Sequence, residues 1–186
     1  YMQSLFPTCR LMKGDAPPFA FDAAPQDLSG VTFQRAEGGE STVGQMIDES
    51  FTDSFLVVKS GAVVTEQYFN GMTVNSHHLL NSVTKSFLGM LAGIAVDKGL
   101  LDPGALVMSY LPELDESAWG GATIRHLLDM TAGVDYGEDY ADRDADFWKE
   151  AATVGWRPDL VSESSPDTLL AYACSLRGKD QENGAK

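Results

Sequence analysis

Between Asn81 and Asp97 the chain reads N-S-V-T-K-S-F-L-G-M-L-A-G-I-A-V-D, and no other run constrains the fold so strongly. Past its polar opening it offers Leu, Met, Ala and Ile around two glycines, the composition of a helix buried on every side. It is too short to cross a bilayer, which takes about twenty apolar residues. A helix of that kind should carry nothing polar without reason, yet Ser82 and Lys85 stand in its first turn. Residues i and i+3 share a helix face, so hydroxyl and amine are expected as neighbours. That is the pairing of a serine nucleophile with a lysine proton acceptor.

A serine hydroxyl attacks poorly until a base takes its proton. A lysine serves only when part of it is neutral near pH 7, and burial against an apolar wall favours the neutral amine. The helix beyond Lys85 is expected to supply that wall. Its N-terminus would add a positive field around Ser82, favouring an alkoxide and the oxyanion formed after attack. The plain alternative makes Ser82 a helix cap and Lys85 a surface lysine with its stem along apolar neighbours. An S-x-x-K tetrapeptide arises by chance about once in a few hundred residues, so context must decide.

The 186 residues allow one ordinary domain or a large piece of a bigger one. A net charge of −14 argues against nucleic acid and anionic membrane surfaces as partners, and it allows a cationic or zwitterionic small substrate. Cys9 and Cys174 match no metal-ligand spacing and leave the redox compartment open. Leu5–Arg10 is too short and too broken to read as a signal peptide. The chain opens at Tyr1-Met2, which fits an upstream piece having been trimmed or replaced. The compartment is not fixed; the reading leans to the cytoplasm over the periplasm.

In chain order, residues 1–40 are broken by Pro17-Pro18, Pro25, Gly30 and Gly38-Gly39, and read as an irregular arm wrapping a body of residues 41–186. Thr42–Phe51 is expected to be a helix capped by Ser41 or Thr42. Two β-rich runs, Ser54–Lys59 and Ala62–Phe69, flank a Ser60-Gly61 turn and read as an antiparallel hairpin. His77 and His78 point in different directions along an extended segment, so no metal site is expected there. A short helix or irregular piece is expected at Val107–Pro112, then a helix at Thr123–Thr131 ended by Ala132-Gly133. His126, amid leucines, reads as packing rather than as a base. Asp142, Asp144 and Asp146 have calcium-loop spacing, but Phe147 stands where glycine is needed and Thr153 where the closing glutamate belongs. A solvated acidic loop is the simpler reading; one edge of a substrate mouth is the sharper, with Tyr136 and Tyr140 offering hydroxyls. A helix at Phe147–Thr153 follows. A last helix is expected with Ser165 as cap, Pro166 at its first position, Leu169, Leu170 and Ala173 on one face and Gly178 at its exit. Gly178–Lys186 reads as a polar turn heading into something else.

Several spaced segments together resemble the serine β-lactamase and penicillin-binding-protein superfamily: Ser82-Val-Thr-Lys-Ser-Phe87, Asp97–Pro103, Tyr110–Leu114 and Ile124–Gly133. Phe51–Val58, Leu79–Ser86 and Asp135–Tyr140 resemble, more narrowly, the 6-aminohexanoate-dimer hydrolases (nylon-oligomer amidases) and related esterases. The likeness runs from about residue 45 onward. It implies an α+β, β-lactamase/transpeptidase-like fold, an antiparallel sheet flanked by helices with a helical subdomain. It implies Ser82 as acyl-enzyme nucleophile, Lys85 as its proton partner, Tyr140 as a substrate-contacting hydroxyl and Tyr136 as its neighbour, with no metal or organic cofactor. The family's Tyr-x-Asn or Tyr-x-Ser element and later sheet strands have no counterpart here. A lone hairpin is marginal and its open edge invites pairing. This chain is therefore expected to be the N-terminal portion of a protein about twice as long, the remainder being a second polypeptide or absent.

The expected activity is hydrolysis of a linear amide, such as an aminohexanoate oligomer, or of a short-chain ester. A β-lactamase or D-alanyl-peptidase activity on the same fold is one alternative, and a non-catalytic binding or sensor domain is another. A plain structural module is disfavoured by the co-occurring motifs.

Overall fold

The computed structural model describes residues 2–12 and 14–185. Its contacts divide the chain between Leu79 and Leu80, and each side is a unit in its own right. The first holds α1 (Met2–Leu5), β1 (Asp22–Ala23), β2 (Thr32–Gln34), β3 (Glu40–Thr42), α2 (Val43–Glu49), β4 (Ser54–Lys59) and β5 (Ala62–Tyr68). β4 and β5 form the expected antiparallel hairpin, with a bulge between Val57 and Val58. Ser60 and Gly61 make its turn with φ of 52° and 80°. The arm is more ordered than its prolines and glycines suggest. β1 adds parallel to β5, giving the order β1-β5-β4, and β2 pairs antiparallel with β3. Strands of two or three residues are too short to show a period of two in a sequence. Thr42, not Ser41, caps α2: its hydroxyl accepts from Gln45 N at 3.2 Å, and Gln45 Oε1 accepts from Thr42 N at 3.0 Å. Ser41 is buried instead and accepts from Arg35 at 2.8 Å.

In the second unit a 3₁₀ turn at Asn81–Val83 leads into α3 (Thr84–Asp97). After it come 3₁₀ turns at Val107–Ser109, Pro112–Leu114 and Pro158–Leu160, with α4 (Ile124–Leu128), α5 (Asp146–Thr153) and α6 (Leu169–Ser175) among them. The core is not built around α3. It gathers on Val107, Leu114, Ala122 and Ala132, with Trp119, Ile124, Leu127, Val134, Ala173 and Cys174 packed against it.

α3 ends at the expected Asp97 but begins at Thr84, after the 3₁₀ turn that holds Ser82, and it corrects the expectation of burial. Phe87, Leu88, Met90, Leu91 and Ile94 are 51–68% exposed. Backbone hydrogen bonding and a good helical composition suffice to wind fourteen residues, while burial needs partners, and the described residues supply none. Changing Leu88 and Leu91 together to lysine should therefore cost this chain under about 0.5 kcal/mol per site, as at other surfaces, and reduce binding of an apolar dye. Truncating a packed leucine costs about 2–5 kcal/mol. A urea melt showing a loss of that size would mean that the face is covered.

Two further expectations are corrected. α6 is capped by Thr168, whose hydroxyl accepts from Ala171 N at 3.1 Å, because Ser165 is used in a turn onto Ser162 N at 2.9 Å. Its buried residue is Tyr172, while Leu169 and Leu170 are exposed. α4 stops at Leu128, short of Thr131, because Met130 turns left-handed at φ 57°. Thr131 N then donates to His126 O at 2.8 Å and Met130 N to Leu127 O at 3.1 Å, the double closure that ends many helices. The tail, from Gly178 to Gly184, straps the unit. Asp135 N donates to Gly178 O, Asp180 N to Gly133 O and Gly184 N to Thr131 O, at 2.7–3.1 Å. Ala118 N donates to Leu176 O at 2.8 Å, and Trp119 Nε1 to Ala173 O at 3.1 Å. Among the described residues no helix is long and apolar enough to cross a membrane.

Candidate active site

Asn81 enters the helix with φ 47°, a left-handed conformation that asparagine tolerates better than most residues. That kink starts the 3₁₀ turn holding Ser82. One turn on, Lys85 Nζ donates to Ser82 Oγ at 3.2 Å, so the two residues singled out by spacing are brought together. Neither the 3₁₀ turn nor α3 carries a side-chain cap bond, which leaves the capping explanation of Ser82 without its bond. Both residues are exposed. The apolar wall expected around Lys85 is not present, since α3 turns its own apolar side chains to solvent.

The two tyrosines bond elsewhere. Tyr136, half-buried, donates to Glu150, and burial together with that carboxylate raises its hydroxyl far above the usual phenol value. Tyr140 is 62% exposed, lies edge-on to Phe147 at 4.7 Å and donates to Glu138 at 3.3 Å. Desolvation and the Glu138 charge push its hydroxyl upward too. Tyr136 thus ties its loop to α5, while Tyr140 stands at the surface.

His126 works locally, closing the first turn of α4. Its Nδ1 accepts from Thr123 N at 3.2 Å while its own N–H is capped by the Thr123 hydroxyl. The acidic loop turns its carboxylates onto its own backbone. Asp139 takes Ala141 N, Asp142 takes Asp144 N and Asp146 takes Gly137 N, at 2.9–3.0 Å. Among the described residues no group of three or more His, Cys, Asp or Glu is placed to hold a metal ion.

Sequence reasoning missed one constellation. His78 Nε2 lies 3.0 Å from Asp53 Oδ2 and its Nδ1 3.0 Å from Leu79 O, while Asn70 Nδ2 donates to Asp53 Oδ1 at 3.2 Å. The side-by-side histidines drew attention only as metal ligands, and nothing in the order of residues linked His78 to a carboxylate 25 positions earlier.

The hairpin, exposed α3 and helical core are the elements of an α+β, β-lactamase/transpeptidase-like fold. A solved Bacillus anthracis structure, provisionally assigned as a 6-aminohexanoate-dimer hydrolase, matches 90% of this chain and 44% of its own with a TM-score of 0.66 at 23% identity. The chain belongs to the beta-lactamase family, whose model matches residues 42–177. It is similar to the 6-aminohexanoate-dimer hydrolase of Paenarthrobacter ureafaciens, with 35% identity over 134 residues, 72% of this chain and 34% of that protein. It is also similar to a beta-lactamase of Escherichia coli strain K12, with 41% identity over 54 residues, 29% of this chain and 14% of that protein. The chain thus spans about a third or less of the length of these curated relatives.

Proposed function

We propose that this chain carries the nucleophile of a serine hydrolase acting on a linear amide of the aminohexanoate-oligomer kind or on a short-chain ester. The observation that carries this reading is the Lys85–Ser82 contact at the head of α3 in a chain of this family. Ser82 Oγ attacks the carbonyl carbon while its proton passes to a neutral Lys85 Nζ. The oxyanion faces the Ser82 N–H as one of its donors. Collapse expels the amine or alcohol, which takes the proton back from Lys85, and water releases the acyl group. Tyr140 is the candidate substrate contact, with Tyr136 holding its loop in place.

Accepting a proton requires a neutral amine, and burial against an apolar surface favours that form. A second polypeptide packed on the exposed face of α3 would supply the missing apolar wall. Intact-mass spectrometry with a fluorophosphonate serine trap tests the proposal: a single adduct on Ser82, alone or after addition of such a polypeptide, is expected. No adduct under either condition would leave a binding or sensor domain of the same fold. The beta-lactamase relative favours a second reading, in which the substrate is a β-lactam. Faster turnover of nitrocefin than of p-nitrophenyl esters would select it.

A further inference from the structure

Every ring nitrogen of His78 faces an oxygen. Nε2 meets the Asp53 carboxylate and Nδ1 meets the Leu79 carbonyl, both at 3.0 Å, and neither oxygen can donate. A neutral imidazole has one N–H and would leave one of these contacts as lone pair against lone pair. The imidazolium has two and satisfies both. Asp53 stands just before β4 and is itself fixed by Asn70 at the exit of β5, so the clasp is anchored to the hairpin. Its other end is the carbonyl of Leu79, the last residue of the first unit, three positions before Ser82.

We propose that His78, doubly protonated and held between Asp53 and the Leu79 carbonyl, is a positioning residue: it fixes the backbone at Leu79, three residues before Ser82, and losing its second proton loosens that segment. The proposal rests on the reading of Ser82 as nucleophile. Hydrogen bonds to Asp53 and then to Leu79 raise the His78 value, while hydrogen bonds from Asn70 and then His78 lower that of Asp53. Among the described residues Asp53 is the ion-pair partner of His78; Asn70 is neutral, and His77 is its chain neighbour. The signs give a window. The clasp is fully formed below the ordinary histidine value and opens as pH rises through the raised one. On the acid side it holds above the ordinary aspartate value and opens as pH falls through the lowered one. Both partners are substantially exposed, so the effect on global stability is small and the effect on the backbone leading to Ser82 is the one to measure.

The test follows the imidazole nitrogens and backbone amides of the full chain by NMR through a pH titration, in wild type, Asp53→Asn and His78→Gln. His78 should titrate above the ordinary histidine value, and Asp53→Asn should bring its midpoint down. The amides of Ser82 and Lys85 should move with the His78 midpoint in wild type, follow it down in Asp53→Asn and lose the transition in His78→Gln, while β4–β5 amides show the hairpin intact. Where Ser82 is labelled by the fluorophosphonate, the alkaline limb of the labelling rate should shift likewise. Ser82 and Lys85 amides that ignore the His78 transition would overturn the proposal. Amides that follow it while no trap reacts would leave the clasp standing and sink only the reading of Ser82 as nucleophile.

Discussion

Replacing Ser82 with alanine should abolish the fluorophosphonate adduct, and replacing Lys85 with methionine should slow its formation by about 10²–10⁴-fold, the range a positioned general base contributes. Lys85→Arg should fail almost as badly, because a guanidinium keeps its charge and cannot take the serine proton. The three variants separate chemistry from folding because both side chains lie at the surface and, among the described residues, bond only to each other. Their melts should fall within about 0.5 kcal/mol of the parent chain. Labelling of Ser82→Ala at an unchanged rate would place the reactive serine elsewhere. An unimpaired Lys85→Met would remove Lys85 from the proton path, leaving Ser82 with another base.

The largest effect on stability is expected from Gly133→Ala. Gly133 has φ 65°, and a Cβ there would lie 2.1 Å from the carbonyl oxygen of Gln181. Two costs add. A left-handed alanine costs about 1–2 kcal/mol. The clash is with backbone that cannot swing aside, so relief requires the strap at Gly178–Gly184 to lift and give up its bonds to Thr131, Gly133 and Asp135. A loss of about 3 kcal/mol or more is expected in urea melts, placing it among the severe single substitutions. Gly155→Ala is the control, since Gly155 has φ 80° and nothing within 4 Å of the added carbon. It should show the conformational cost alone. Equal losses at the two sites would mean that the strap is not seated on Gly133.

What the residue order revealed was local in origin. The β4–β5 hairpin follows from branched residues either side of Ser60-Gly61, and the Thr42 cap, one of the two candidates, follows from one hydroxyl and a side chain three residues on. The Ser82–Lys85 contact is likewise set by a helical repeat. What stayed hidden depends on distance along the chain or on left-handed backbone. Met130 ends α4 in a conformation that its side chain does not advertise, and Thr168 won the cap because Ser165 had a nearer turn to serve. The α3 sequence described a helix but not its exposure, because composition reports what a surface requires and not which residues meet it. The Asp53–His78 pair belongs with these hidden features, joined only by a folded hairpin.

The bonds from Trp119 to Ala173 and from Ala118 to Leu176 also set an order of events in time. The first closes a loop of 54 residues, and loop closure must be met in entropy before the contacts it brings can repay it. Val107, Leu114 and Ala122 lie close enough in sequence to collapse early. The core they begin stays open on the side of Ala173 and Cys174 until α6 arrives. On a ribosome that side would remain unsealed until residue 176 had emerged, so the Trp119 indole reports on the final step of assembly rather than on the first helix to form.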